Sequence, residues 1–427
     1  MIPTNTMKRI TFPTCIGLML AGGAFLAPSA LAGGIDLYEV STPDIGLASA
    51  GSAAGAQDAS TLFKNPAGMS LLNGAQAQAG LQALYGNVKL SVNGGQTGPF
   101  LGSDNGGNAI GVLPGMNFFI TYPVTEKLTV GFGSFSYFGL AEDYNNNWVG
   151  RYYVEKATLL GMSLMPSASF KVNDWLSIGG GLNAMYGYLD TQVALREPGS
   201  DGQLTLKDEE WGFGGNAGIM ISPRPGTRIG IDYLSQVKLD FAAKPGLNAG
   251  DPLGGLAIFQ NNLNLGVTVP QSVMAGIYQE LNDQWALMAD VGWQDWSRFG
   301  QVNVGYDATT PGSITTQLNY QDTWHGAIGA QYKASEQWKF TGGFAYDTSA
   351  VSDANRTVTL PMGATYRYGL GAFWKYSESL DFGAAYELAW SGDLPVNQTS
   401  TPFRGNVVGS YNNAYFMFFG LNLNYHF

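Results

Sequence analysis

A single cysteine, Cys15, occurs in 427 residues, with 2 histidines and a charged fraction of 12%. That charge is about half the ~25% usual in soluble domains. Cys15 falls in the leader described below, so the mature chain offers no thiol for a disulfide, a thiolate metal site or a cysteine nucleophile. His325 and His426 are the only histidines, and no G-x-S-x-G elbow frames a serine. A lipid-hydrolase arrangement therefore has little to work with, and the chain reads as a non-enzyme with no cofactor. Gly212-x-Gly214-x-x-Ala217 follows no strand–helix unit, so it is not a dinucleotide loop. Asp208, Glu209 and Glu210, read as loop residues, offer at most weak divalent-ion binding, and no metal site is expected. Removing Lys8 and Arg9 leaves 19 of 21 basic residues against 32 acidic ones, a net of −13. That balance speaks against nucleic acid. Beyond the leader, no segment supplies the ~18 consecutive apolar residues of a spanning helix.

What is present begins with that leader. Lys8 and Arg9 precede an apolar stretch from Ile10 to Leu26, and Ala30-Leu31-Ala32 forms a small-residue cleavage site. Residues 1–32 read as a cleaved secretory signal, with Met7 an alternative start. A retained membrane anchor is the competing reading; the Gly and Pro within the apolar stretch disfavour it.

The body of the chain alternates with period two over segments of roughly ten residues, the pattern of a transmembrane barrel strand. At the C-terminus Tyr415, Met417, Phe419, Leu421, Leu423, Tyr425 and Phe427 share one face, and Gly420, Asn422, Asn424 and His426 lie on the other. Trp285 to Trp293, Trp338 to Tyr346 and Leu380 to Trp390 repeat the pattern. Tight connections are expected near Pro123–Lys127, Val172–Trp175, Ser222–Thr227, Leu281–Gln284, Ala334–Gln337 and Ser377–Ser379. Long Gly/Asn-rich ones are expected near 93–108, 145–155, 194–208, 242–262, 301–316, 349–362 and 391–411. Six short turns alternating with seven long loops imply an antiparallel all-β barrel of about 14 strands over residues 75–427. A soluble β-sandwich would need more outward charge and has no reason to alternate its turn lengths.

Residues 33–74 do not alternate. Gly46–Ser60 consists largely of small side chains that let backbone approach backbone. Entering from the periplasmic side, such a segment can fill the lumen as a hatch, with Asn65-Pro66-Ala67 as its fixed turn. The other option is an extended periplasmic linker. A second irregularity lies in the third strand. Leu128, Val130 and Phe132 set an outward register, which would put Ser134 and Ser136 against lipid and Phe135 and Tyr137 inside. Gly133 and Gly139 bracket the slip, as at a bulge; a tolerated pair of lipid-facing serines is the alternative.

Asn65-Pro66-Ala67, Trp211-Gly212-Phe213-Gly214, Asn216-Ala217-Gly218-Ile219, Val237-Lys238 with Asp240-Phe241, Trp296-Ser297 with Phe299, and Asn355-Arg356 with Pro361 occur in order along the chain. Together they resemble the FadL-type long-chain fatty acid transporters of Gram-negative outer membranes, whose relatives carry toluene and xylene. Ser136-Tyr137-Phe138-Gly139-Leu140-Ala141 is similar to that family's third-strand kink. The resemblance implies a hatch-blocked barrel in the outer membrane, in contact with lipid and lipopolysaccharide. It also implies passive passage of an apolar molecule with lateral exit at Gly133, Phe135, Tyr137, Phe138 and Gly139. A monomer is expected, since the opening must face lipid.

By alternation Leu159, Met165, Met288, Phe416 and Phe418 point inward and are ligand-path candidates. Leu256, Ile258 and Phe259 form an apolar run in the fourth long loop, suited to first capture. Burial of apolar surface at ~25 cal/mol per Å² drives such capture. Fatty-acid members place basic residues where this chain aligns Val193 and Thr316; Arg196, Arg298 and Arg356 are the nearby candidates to substitute, with solvated loop charges as the alternative reading. That departure, with a shorter third loop, leaves three cargo readings open: a fatty acid, a neutral monoaromatic or other hydrocarbon, or an exported oxidised lipid. A general porin would instead line its lumen with charge. An adhesin or phage-receptor role for the loops would coexist with transport.

Overall fold

The computed structural model describes residues 37–93, 104–195, 201–248, 262–299, 301–306, 312–398 and 405–427, with backbone alone for 301–306 and 312–317. The expected leader, residues 1–32, lies outside them. So do Arg196 and the apolar run Leu256, Ile258 and Phe259, as does the side chain of Thr316.

The barrel wall consists of β1 (Gln76–Asn87), β3 (Gly111–Pro123), β4 (Leu128–Asp143), β5 (Lys156–Lys171), β6 (Leu176–Leu195), β7 (Gly202–Arg224) and β8 (Thr227–Leu234). It continues through β12 (Ser272–Glu280), β13 (Trp285–Gln294), β16 (Thr323–Lys333), β17 (Trp338–Asp347), β18 (Thr365–Lys375), β19 (Leu380–Gln398) and β20 (Val407–His426). Each pairs antiparallel with the next, and β1 pairs with β20, closing the ring. Two short strands, β2 (Leu90–Val92) and β10 (Gly246–Asn248), extend this 16-stranded sheet off the ring, so the barrel proper has 14 strands. No described helix is long and apolar enough to cross a membrane.

The alternation translates directly into the wall. Leu81, Leu182, Phe213, Ile328, Leu370 and Leu421 are all more than half exposed on the outer face, where lipid satisfies them. Tyr122, Trp175, Trp285, Trp338 and Tyr376 stand exposed beside the short turns, as an interfacial belt requires. All six short connections fall where the turn residues predict them.

Several long connections are shorter than the sequence implies. β7 starts at Gly202, so Asp208, Glu209 and Glu210 are strand residues, and Asp208 accepts the Ala242 amide at 2.7 Å. The expected loop at 391–411 shrinks because β19 runs to Gln398 and β20 resumes at Val407. The expected loops at 242–262 and 301–316 contribute to a second, four-stranded sheet. Its members are β9 (Val237–Ala243), β11 (Leu263–Val269), β14 (Gln301–Tyr306) and β15 (Gly312–Gln317), in the order β15-β14-β11-β9. In the extensions of β19 and β20 the apolar residues Leu394, Val396, Val407 and Tyr411 are buried rather than turned outward, so the outward apolar register that marks the membrane strands is lost and the segments read as loop.

The second sheet explains the Trp211-Gly212-Phe213-Gly214 motif. Trp211 and Phe213 face out. A methyl group on Gly212 would overlap Val237, and one on Gly214 would sit 2.6 Å from the Ser235 hydroxyl. The glycines therefore let β9 lie against the inner face of β7. Val237, Leu239 and Phe241 bury completely there.

Candidate functional site

The described residues that precede β1, 37–75, pack against the inner face of the ring. They contain α1 (Thr42–Leu47), α2 (Thr61–Lys64) and a 3-10 helix, Pro66–Leu71. The small residues predicted to pack closely do so. Ala48, Ala53, Ala54, Ala59 and Ala67 have no exposure. α1 packs on β16 to β20 and the 3-10 helix on β4 to β7, so the segment spans the lumen.

Inward polar side chains of the wall bind its backbone. Asn117 Nδ2 donates to the Val40 carbonyl at 2.9 Å, Thr341 Oγ1 to Gly46 at 2.9 Å, and Asn216 Nδ2 to Leu62 and Phe63 at 3.0 and 2.8 Å. Asp290 accepts the amides of Gly51 and Ala53, the latter at 3.1 Å. Asn65 is the central tie. Its Nδ2 donates to Ala53 at 2.7 Å and to Ile219 of β7 at 3.0 Å, while its Oδ1 accepts the Ala67 amide at 3.1 Å. Pro66 starts the 3-10 helix, where a missing N–H costs nothing. Ala67 presses on Gly179 of β6 so closely that a side chain there would overlap its backbone.

Within the segment, Asp44 accepts from the Ser41 amide and hydroxyl at 2.9 and 2.8 Å and faces Lys64 at 3.8 Å. Burial pushes the Asp44 carboxyl above the usual range, against the opposing pull of Lys64 and Ser41. Burial raises Asp58 likewise, against its hydrogen bonds to Ser60.

The third wall strand, β4, is irregular. It pairs with β3 only from Thr129 to Ser134, although β3 continues upward in register with β1. Against β5 the register shifts between Ser136 and Phe138, leaving Tyr137 as a bulged residue. A bulge exchanges faces. Below it Ser134 and Ser136 pair with outward Leu164 and Met162; above it Phe138, Leu140 and Glu142 pair with Gly161, Leu159 and Ala157 on the inner face. Phe135, Tyr137 and Phe138 are buried, and Gly139 pairs with Leu160.

The N-terminal segment meets this irregular strand. The Leu37 amide donates to the Tyr137 carbonyl at 2.7 Å. Phe63 packs on Phe135 and Tyr137 with ring centroids 4.6 and 5.1 Å apart, and Phe135 stacks on Phe119 of β3 at 5.3 Å. A methyl group on Gly133 would touch Leu62 at 3.1 Å. Phe138 contacts Phe299 at 6.0 Å. Phe299 belongs to α3 (Trp296–Phe299), which contains the Trp296-Ser297 motif.

Above the segment lies a cavity of about 130 Å³. Phe416 and Phe418 line it, with Leu37, Leu140, Leu360, Met362 and Trp296. The other candidates disperse. Met165 and Leu159 belong to the apolar cluster around Leu62 and Phe63. Met288 packs against Ala50 and Leu47 within the segment. Val193 is half-buried on β6. Arg356 is buried in the sixth long loop, where Nε donates to Met362 at 2.6 Å and Nη1 to Pro395 at 2.9 Å and pairs with Asp353 at 2.7 Å. Those bonds fasten the loop to β19.

Two charges on the cavity wall, Arg367 and Glu142, were not among the residues expected there from the sequence. Arg367 pairs with Glu39 of the N-terminal segment, with Asp347, and with Glu387 at 3.1 Å. Tyr38 stacks on His325 at 4.2 Å, and His325 Nδ1 lies 2.6 Å from Asp347. Alternation of Tyr366, Tyr368 and Leu370 outward would have placed Arg367 inside. Glu142 was hidden by the bulge, since unbroken alternation puts it outside.

The family described as outer membrane protein transport protein (OMPP1/FadL/TodX) matches residues 23–427. Outer membrane protein P1 of Haemophilus influenzae is 30% identical over 459 aligned positions, covering 96% of this chain and 97% of that protein. A long-chain fatty acid transport protein of Escherichia coli is 27% identical, covering 85% and 88%. In three dimensions a Pseudomonas aeruginosa FadL homologue superposes with a TM-score of 0.82 at 23% identity, covering 92% of this chain and 100% of that one. The Ralstonia pickettii toluene transporter TbuX gives 0.66 at 19% identity, covering 92% and 99%. A closed 14-stranded ring, a lumen filled by the chain's own N-terminal segment and a match over nearly the whole length converge: the chain belongs to the FadL/TodX family of outer-membrane transport proteins.

Proposed function

We propose that this barrel carries apolar molecules across the outer membrane by diffusion, with residues 33–74 acting as a hatch and the β4 bulge as a lateral door. Relatives named for long-chain fatty acids and for toluene support a hydrophobic cargo. The observation that carries the route is the seam above Ser134, where β4 leaves β3 and bonds the N-terminal segment through Tyr137 and Leu37. A molecule captured by the outer loops enters the cavity beside Phe416 and Phe418. Movement of Phe63 away from Phe135 and Tyr137 then lets it leave sideways into lipid, avoiding water throughout. The barrel works as a monomer, because the seam must face lipid. Its family transports rather than transforms, so the chain acts without catalysis.

Gly139→Arg tests the door. A long cationic side chain beside the bulge is expected to reduce uptake of a radiolabelled apolar probe by cells to the level of a strain lacking the protein. Heat-dependent gel mobility would report an intact barrel. Unchanged uptake by folded Gly139→Arg protein would reject lateral exit.

A further inference from the structure

The bulge at Tyr137 has a chemical consequence: it turns Glu142 into the cavity. Glu142 is 1% exposed, and neither carboxylate oxygen has a hydrogen-bond partner among the described residues. Burying a carboxyl group without a partner is costly, so an unpaired one on a ligand-path wall marks a place where a ligand supplies the missing donor. The wall is apolar at Leu37, Leu140, Met362, Phe416 and Phe418, and its uncharged polar residues include Gln294, Thr323, Thr348, Thr365 and Ser391. The only cation among the described lining residues, Arg367, already pairs with Glu39, Asp347 and Glu387. An arriving carboxylate would find no free positive partner, and it would meet two acidic lining side chains, Glu142 and Asp347.

We propose that the cavity selects apolar molecules whose head donates a hydrogen bond, an alcohol, phenol or amine, with Glu142 as the acceptor, over carboxylates and plain hydrocarbons. This rests on the transport reading above and narrows its cargo. The volume of about 130 Å³ is below the ~300–1,000 Å³ of sites that enclose a drug-sized ligand. It holds a head group and the adjoining carbons, with the remaining chain in the apolar path.

The test compares four probes of one chain length, decanol, decylamine, decanoate and decane, for binding to the purified full chain in lipid nanodiscs. Decanol and decylamine are expected to bind about tenfold or more tighter than decanoate, as a hydrogen bond to a charged or buried acceptor allows. Glu142→Leu should collapse that separation. Glu142→Gln, which keeps a carbonyl acceptor and adds an N–H donor, should retain decanol binding and admit decanoate. The inference is overturned if decanoate binds wild type as tightly as decanol, or if the preference survives in Glu142→Leu, as it would were Glu142 satisfied by a proton or a water alone. If no probe binds, decane included, the transport reading fails and takes this inference with it. Decane binding without any head preference overturns this inference only.

Discussion

Gly230→Val is expected to turn a closed barrel into one with large, steady ion conductance. Gly230 lies on β8 between Met220 of β7 and Gly276 of β12. A side chain there would overlap the Ala53 carbonyl oxygen and approach Asn65 Nδ2 at 2.9 Å. The Ala53–Asn65 hydrogen bond would be lost, and with it the central tie of the segment. The wall itself accepts the change, because a β-branched residue suits a strand. The strain therefore falls on the segment, which has few alternatives at zero exposure. Gly343→Val on β17, where the added group would overlap the Leu47 carbonyl, repeats the test on the opposite side. Single-channel recording checks both. Conductance as low as wild type in folded variants would show that the segment does not seal the lumen.

The second large effect concerns movement. With Cys at positions 63 and 135 joined by a short cleavable thiol bridge, apolar uptake is expected to fall to background and to return on cleavage. The ring centroids lie 4.6 Å apart, so a bridge that occupies the space of the two rings joins the segment to the wall. The only natural cysteine, Cys15, lies in the expected leader. Before bridging, the double variant lacks an aromatic contact worth about 0.5–1.5 kcal/mol and should transport at least as fast as wild type. Full uptake through a completely bridged protein would mean that cargo never passes between Phe63 and the bulge.

The strand number and the order of turns were legible because both are local. Period-two faces such as Tyr415 to Phe427 and punctuation such as Pro123 to Lys127 lie within a dozen residues. The same holds for Asn65-Pro66-Ala67, whose turn chemistry is written in three neighbours. The inner sheet of β9, β11, β14 and β15 was not legible. It pairs segments separated by long connections, and its partners carry no signal for one another. Glu142 was invisible for a sharper reason. One bulged residue reverses every face beyond it, and the slip at Ser134 and Ser136 shows that a break exists without showing where alternation resumes. Arg367 could have been found from the outward tyrosines of β18, but its three acidic partners come from Glu39, β17 and β19. Its engagement is therefore a property of the folded ring alone.

Most directly, the wild-type protein can be placed in a planar bilayer while apolar flux and ion current are measured together. A sealed lumen with a lateral route predicts flux of an apolar probe well above the protein-free bilayer with little ionic conductance. Steady porin-like conductance, or flux no greater than that of bare lipid, would contradict it.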